Sequence, residues 1–249
     1  YLVLYILIKG VPYLRPELFS WTYDSNNVSM LPSIINTFLL TALSLVISVP
    51  LGIFAAIYMV EYAKKGNRMV KFIRVTAETL SGIPSIVYGL FGMIFFVGVL
   101  KMQLSLLSGS LTVAIMVLPT IMRTTEEALL SVPQSYREGS FGLGAGKLRT
   151  VFRIVLPSAV PGILSGVILA TGRIVGETAA LIYTAGTAPQ IAGSLFDSGR
   201  TLAVHMYSLS REGLHVDQSY ATAVVLLVIV LLMNSLSSII ARKVASKNQ

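Results

Sequence analysis

The polar stretch RTTEEALLSVPQSYREGSFGLGAGKLRTVFRIVLP, residues 123–157, decides how the rest of the chain is organised. It is the longest polar, charged interval in a mostly apolar sequence, and membrane-length apolar segments lie on both sides of it. A short helix is predicted over residues 134–140, after Pro133, and glycines follow it at positions 142, 144 and 146. The chain therefore exposes one polar hairpin to water. Composition alone leaves open whether this hairpin is a solvated loop or an element that transmits force from a soluble partner to membrane helices.

Composition places the chain among membrane proteins. Of its 249 residues 54% are hydrophobic and only 12% are charged, whereas a soluble domain carries about 25% charged residues. There is no cysteine, which excludes disulfides and cysteine-ligated metals. Basic cytoplasmic loops of a membrane protein explain the net charge of +8. Membrane lipid, and not nucleic acid, is therefore the expected partner.

The apolar segments predict an all-α fold with about six transmembrane helices. Residues 1–8 are interpreted as the end of a first helix whose start is missing. Complete spans are expected at residues 33–60, 75–100, 110–122, 154–185 and 220–241, and the second of these is expected to be interrupted at Gly82-Ile83-Pro84. The chain is thus divided into three parts. They are a helix end with an external loop (1–32), a transmembrane domain (33–241) and a basic tail (242–249).

The distribution of basic residues predicts the orientation. The segments 61–74, 123–153 and 242–249 fall on one side of the membrane and carry five, five and three of the 19 Lys and Arg residues. The opposite side carries five. Because cytoplasmic loops collect Lys and Arg, the hairpin and both termini are expected in the cytoplasm and residues 186–219 outside.

The hairpin also carries a spaced motif. Glu138-Gly139-Ser140 is followed after three residues by Gly144, and after nine more by Ile154-Val155-Leu156-Pro157. This spacing resembles the EAA motif of permease subunits in binding-protein-dependent ABC importers, although only the glutamate of the triplet matches. In that family the motif forms a coupling helix that docks on an ATPase. The resemblance implies that residues 134–147 contact an ATPase, and the coupling residues it implies are Glu138, Gly139, Ser140, Gly142 and Gly144.

Four further segments extend the resemblance over about residues 30–241. They are Asn36-Thr37-Phe38, SGIPSIVYGL at 81–90, Leu118-Pro119 with RTTEEAL at 123–129, and Gly172-Arg173 with Gly176-Glu177-Thr178-Ala179. They are similar to phosphate-specific permeases, and to the A-type subunit rather than its C-type partner. This implies the type I ABC importer permease fold, with a cytoplasmic coupling hairpin, in a prokaryotic inner (plasma) membrane. The implied partners are a second, C-type phosphate permease subunit, a cytoplasmic ATPase dimer and an external phosphate-binding protein. ATP is used by the ATPase, so no catalysis, cofactor or metal is expected of this chain.

Two charges inside the apolar segment 154–185 are the main candidates for a substrate path. Arg173 and Glu177 each cost at least about 2.5–3.5 kcal/mol to insert, which makes a functional role the default hypothesis. They are four residues apart, so a continuous helix would place them on one face. In one interpretation they neutralise each other and fix helix packing. In the other, which the resemblance favours, Arg173 presents its guanidinium to an oxyanion, and Glu177 either orients Arg173 or has a role in gating.

Other charged residues have less specific interpretations. Arg123 either reaches lipid headgroups or forms a second basic site at the inner mouth of the path. Glu78 is expected to have a structural role, and His205 and His215 are expected on the surface. A secondary transporter, a channel and a structural membrane subunit are the alternative functions, although inverted repeats and midplane ion ligands are not evident.

Overall fold

The computed structural model describes residues 1–64 and 66–246, and every regular element in these residues is a helix. The α-helices of this part of the chain are α1 (Leu2–Gly10), α2 (Leu31–Ile57), α3 (Arg68–Ser81), α4 (Ser85–Gly92), α5 (Leu106–Leu130), α6 (Gln134–Gly142), α7 (Lys147–Thr150), α8 (Leu156–Val175), α9 (Ala179–Thr184), α10 (Leu202–Glu212) and α11 (Val216–Ser246). Wider π-helical turns continue α2 and α4 and precede α8, at Tyr58–Tyr62, Met93–Val99 and Val151–Val155. The prediction of an all-α protein is confirmed.

Among the described residues, four helical segments are long and apolar enough to cross a membrane. They are Leu31–Tyr62, Leu106–Leu130, Lys147–Val175 and Val216–Ser235. The pair α3 and α4 adds a fifth if it counts as one broken span, and the apolar helix Leu2–Tyr13 is shorter. These segments correspond to the six predicted ones. The last helix continues to Ser246, so the predicted tail is helical in part, and its residues 247–249 lie outside the described residues.

The interruption predicted at residues 82–84 of the span 75–100 is confirmed, although the helix before it begins earlier than predicted. The chain forms two helices here, and the first begins at Arg68, inside the segment predicted as a loop. The Asn67 side chain accepts a hydrogen bond from the Met69 amide at 2.9 Å and so caps α3. At the other end, Pro84 has no amide hydrogen and disfavours helical backbone at the preceding residue. The break therefore lies at residues 82–84.

The predicted span 154–185 is wrong as one helix. It ends at Val175, and the separate helix α9 begins at Ala179. Gly176 lies in the break, where its amide donates to the Gly172 carbonyl at 3.2 Å. Glycine lowers helix stability by about 1 kcal/mol relative to alanine, and a following side-chain cap for α9 makes the interruption favourable.

The chain is organised in two compact units that are each built from several segments. The first unit comprises residues 1–46, 83–116 and 172–232, and the second comprises residues 47–82, 117–171 and 233–249. A buried cluster in the first unit consists of Leu18, Val28, Met30, Leu202, Leu209 and Ala221. A larger cluster in the second unit lies beside the hairpin and consists of Ala56, Ile57, Met59, Val70, Met122, Ala128, Leu129, Val132, Val151, Val155, Ala159 and Ile163.

Candidate coupling and transport sites

The hairpin of the second unit is formed by α6 and α7. The predicted helix at 134–140 is confirmed and extends to Gly142. Beyond it the chain reverses at Gly144, whose φ of +79° is a left-handed conformation that side-chain-bearing residues rarely adopt. The amide of Gly144 donates to the Phe141 carbonyl at 2.9 Å, and the amide of Ala145 donates to the Ser140 carbonyl at 3.1 Å. The turn itself therefore favours glycine at 144.

The other predicted coupling residues differ in their surroundings. Glu138, Gly139 and Gly142 are exposed, and a Cβ added at either glycine would meet no atom within 4 Å. Ser140 is buried, and its hydroxyl lies 2.8 Å from the Thr150 hydroxyl. Ser140 thus closes the hairpin, while the others lie on its open surface.

Large apolar side chains are exposed on the same hairpin. Leu143 is 91% exposed and Leu148 is 66% exposed, and Tyr136, Phe141 and Phe152 are also exposed. A cleft of about 660 Å³ beside them is lined by Leu148, Arg149, Phe152 and Arg153. Contiguous exposed apolar side chains rimmed by polar ones are typical of protein interaction surfaces.

A buried ion pair, which was not predicted from the sequence, holds α6 in place. Arg137 donates from Nη2 and Nε to Glu61 Oε1 at 2.7 and 3.1 Å. Its Nη1 and Nη2 also donate to the carbonyls of Val132 and Leu129, both at 2.9 Å. The two charged side chains are only 11% and 8% exposed. The guanidinium therefore joins α6 to the end of α5 and to the π-helical turn after α2.

A second charged group in the same unit surrounds a cavity of about 540 Å³. Arg123 donates from Nε to Glu127 Oε1 at 3.1 Å, and Arg74 pairs with Glu126 at 2.5 Å. Glu78 also lines this cavity. The side chains of Arg123 and Glu127 are more than 60% exposed, and such exposed pairs contribute only about 0–1 kcal/mol. Arg123 can therefore exchange its partner at little cost.

The predicted shared face of Arg173 and Glu177 is wrong, because the helix ends between them. Arg173 lies in the last turn of α8 in the first unit and is half-buried. It forms no ion pair with any described residue, although it is near enough to Tyr88 for an electrostatic interaction. Glu177 is 8% exposed and accepts a hydrogen bond from the Ala180 amide at 3.0 Å, so it caps α9. Its carboxylate is engaged with backbone and leaves the Arg173 guanidinium without an acidic partner.

The predicted surface position of His205 is also wrong. His205 is fully buried and contacts the Tyr23 ring edge-on at 6.2 Å between ring centres. Burial, together with the nearby positive charge of Arg200, lowers the pKa of His205 to about 3. Arg200 is itself 4% exposed and lies over the Tyr23 ring at 4.5 Å. His215 is half-buried. Polar composition had suggested exposure for this whole segment, whereas tertiary packing buries part of it.

The long apolar helices and the polar hairpin between them define a multi-pass membrane protein. The chain belongs to the family of binding-protein-dependent transport system inner membrane components, whose profile matches residues 48–247. It is a non-enzymatic permease of an inner membrane transport system.

Individual relatives agree with this family. The chain is 35% identical over 230 residues to the probable ABC transporter permease protein YqgI of Bacillus subtilis, covering 86% of this chain and 77% of that one. It is 34% identical over 207 residues to phosphate transport system permease protein PstA 1 of Mycobacterium tuberculosis, covering 82% and 67%. The resemblance to A-type phosphate permeases is thereby confirmed. A solved bacterial alginate ABC transporter, in complex with an alginate pentasaccharide-bound periplasmic protein, matches with a TM-score of 0.71 at 16% identity, covering 97% and 88%. This likeness confirms the importer permease fold.

Proposed function

We propose that this chain is the A-type permease subunit of an ATP-driven phosphate importer and forms half of its translocation path. The observation that carries the proposal is the 34% identity, over 82% of the chain, to a phosphate transport permease. The hairpin and the charged residues supply the parts that such a subunit needs.

The hairpin is the proposed contact with a cytoplasmic ATPase dimer. Its turn is fixed by Gly144, and the exposed surface around Glu138, Gly139 and Gly142 gives a partner backbone room to approach. The buried Arg137–Glu61 pair makes α6 rigid relative to the second unit. A force applied to the hairpin by the ATPase would therefore move the helices of that unit instead of only bending a loop.

Arg173 and Arg123 are the proposed oxyanion-contacting residues. A guanidinium presents several N–H groups in a fixed plane, which suits a tetrahedral oxyanion. Arg173 has no acidic partner among the described residues, and Arg123 is held only by an exposed pair with Glu127. Glu177 supports this path by capping α9, and not by neutralising Arg173.

The proposed complex contains a C-type permease and an external phosphate-binding protein besides the ATPase. Residues 10–32 and 186–219 are the proposed contacts of the binding protein, with both termini of the chain in the cytoplasm. The complex that the alginate transporter forms with a periplasmic protein offers a parallel for such an arrangement.

The test is phosphate uptake into vesicles that contain the chain with its partner permease and ATPase, supplied with the binding protein. Uptake should require ATP, and uptake that proceeds equally well without ATP would instead favour an ion-coupled secondary transporter. Arg173→Gln should abolish uptake while the complex still assembles. Lys101→Gln removes an exposed charge elsewhere in the first unit and should leave uptake unchanged.

A further inference from the structure

Arg200 is a buried cation without an anion. Its side chain is almost completely enclosed at 4% exposure, and its Nε and Nη2 atoms have no hydrogen-bond partner among the described residues. It forms no ion pair with a described carboxylate. A buried unpaired charge is strongly unfavourable, and most buried polar groups have partners. The guanidinium therefore indicates a missing acceptor.

The backbone around Arg200 holds the side chain in a fixed place. The Arg200 amide donates to the Ala188 carbonyl at 2.9 Å, and the Arg200 carbonyl accepts from Asn36 Nδ2 at 3.4 Å. On one side the guanidinium lies over the Tyr23 ring at 4.5 Å. A cation over an aromatic face is stabilised, but this contact gives the Nε and Nη2 N–H groups no acceptor. Arg200 is thus positioned before any ligand arrives.

The surroundings of Arg200 favour an anion over any other ligand. The neighbouring His205 is not an acid and cannot neutralise Arg200. Thr187 and Ser208, which carry hydroxyl groups, line one cavity of about 390 Å³ together with Arg200. Arg211 adds a second positive charge to the wall, while Glu212 is the acidic residue on it. We name this space the Arg200 cavity, and its lining residues are Ile182, Thr187, Arg200, Tyr207, Ser208, Arg211 and Glu212.

We propose that the Arg200 cavity binds a phosphate oxyanion on the external side of the first unit, before the anion reaches Arg173. This inference rests on the proposed function for the identity of the anion. Two arginines and two hydroxyl groups match the acceptor-rich surface of phosphate. Ile182 belongs to α9, which begins immediately after the Glu177 cap, so the cavity adjoins the helix that starts at the predicted transport site. The cavity would receive the anion from a binding protein and shorten its path to Arg173.

The absence of cysteine from the chain permits a direct binding experiment. Ser208→Cys places a thiol on the cavity wall, and its labelling by a negatively charged thiol reagent is measured in the detergent-solubilised complex with and without inorganic phosphate. Phosphate should slow the labelling several-fold, and adding Arg200→Gln should remove this protection. Gln103→Cys, an exposed position outside the cavity, should show no protection. Labelling of Ser208→Cys that phosphate does not slow, or slows equally with Arg200→Gln present, would overturn the proposal.

A lipid headgroup could offer the same phosphate chemistry, and the experiment separates the two sources. The labelling is repeated in nanodiscs of phosphatidylcholine and of phosphatidylglycerol. If the cysteine is protected by phosphatidylglycerol alone and added phosphate changes nothing, the site belongs to lipid and the proposal is wrong. Protection that follows phosphate concentration in both lipids supports it.

Uptake measurements connect the site with transport. Losing charged hydrogen bonds to an anion corresponds to about a 10- to 100-fold weaker interaction, so Arg200→Gln should raise the phosphate concentration for half-maximal uptake by about that factor. Arg200→Lys, which keeps the charge but not the planar fork, should give a smaller increase and serves if the glutamine variant does not assemble. If an assembled variant of either kind has the wild-type phosphate concentration for half-maximal uptake, and wild-type uptake depends on ATP, the proposal for the Arg200 cavity is wrong while the proposed function stands. Loss of ATP dependence in the wild type overturns the proposed function instead.

Discussion

Replacing Arg137 with methionine should destabilise the second unit more than any other single charge removal on the hairpin. The substitution keeps a long side chain but leaves Glu61 buried without a cation, at 8% exposure. It also removes the donors of the Leu129 and Val132 carbonyls. Breaking a buried pair from one side costs about 3–5 kcal/mol. For a protein of this size each kcal/mol corresponds to about 2–4 °C, so the unfolding midpoint should fall by about 6–20 °C.

The assay is thermal or denaturant unfolding of the detergent-solubilised protein. Arg68→Met provides the control, since Arg68 is an exposed arginine of the same unit, and its effect should stay within about 0.5 kcal/mol. In the double variant Arg137→Met/Glu61→Met no lone charge remains buried. Its loss should be smaller than the sum of the two single losses by at least about 1.5 kcal/mol. Additive losses, or a single variant as stable as the wild type, would refute the reasoning.

Three further changes have defined outcomes. Gly144→Asp should weaken recovery of the ATPase in a pulldown while membrane insertion stays normal, because an aspartate at φ +79° costs about 1–2 kcal/mol and distorts the turn. Gly166→Ala should destabilise the second unit by about 1–3 kcal/mol in an unfolding assay, because its Cβ would overlap the Thr124 hydroxyl. His205→Phe should remove a loss of stability that the wild type shows on acidification, measured as unfolding midpoints between pH 7.5 and 5.

The sign of the His205 effect follows from its pKa of about 3 in the folded state, against an ordinary value of 6.5. The unfolded chain binds a proton below pH 6.5 and the folded chain does not, so stability falls progressively as the pH drops from 6.5 to 3. At pH 5 the loss from this group is about 2 kcal/mol. His215→Gln, at a half-buried position, should leave the acid-induced loss in place. If His205→Phe shows the same slope as the wild type, the assignment is wrong.

The glycine predictions have controls within the same chain. Gly213 also has a positive φ, +74°, and lies outside the hairpin, so Gly213→Asp should strain the backbone without affecting ATPase recovery. A Cβ added at Gly139, within α6, would meet no atom within 4 Å. Gly139→Ala should therefore stabilise this helix by up to about 1 kcal/mol. If Gly144→Asp and Gly213→Asp reduce ATPase recovery in the pulldown equally, the proposal that the hairpin contacts the ATPase is wrong.

Hydropathy and turn chemistry were sufficient to predict the long helices and the hairpin. Pro133, the polar run after it and the register of Gly144 predict α6 because these signals are local. The break after Val175 was missed because glycines are common inside membrane helices and Gly176 gave no stop signal by itself. The Glu177 carboxylate accepts from the Ala180 amide and so supports the start of a new helix, a contact that the local sequence did not indicate.

Contacts between distant parts of the sequence were not predicted. Arg137 and Glu61 are 76 residues apart, and each lies in a run of polar residues that is typical of a solvated loop. His205 was interpreted as a surface residue for the same reason, although it packs against the Tyr23 ring. Local composition gives the average exposure of a segment, and only the tertiary fold decides which of its members are enclosed.

The Asn36 side chain also determines when the first unit can be completed during synthesis. It donates to the carbonyls of Gln190 and Arg200 and accepts from the Ala192 amide, across 154 to 164 residues of sequence. At about 5–20 residues per second, a ribosome needs about 8–30 s to make that separation. Nascent chains arrested before residue 190 hold none of these three hydrogen bonds, because none of the partner residues has been made. The hydrogen bonds of this one amide, near the start of α2, can therefore form only after residues 190–200 have been synthesised.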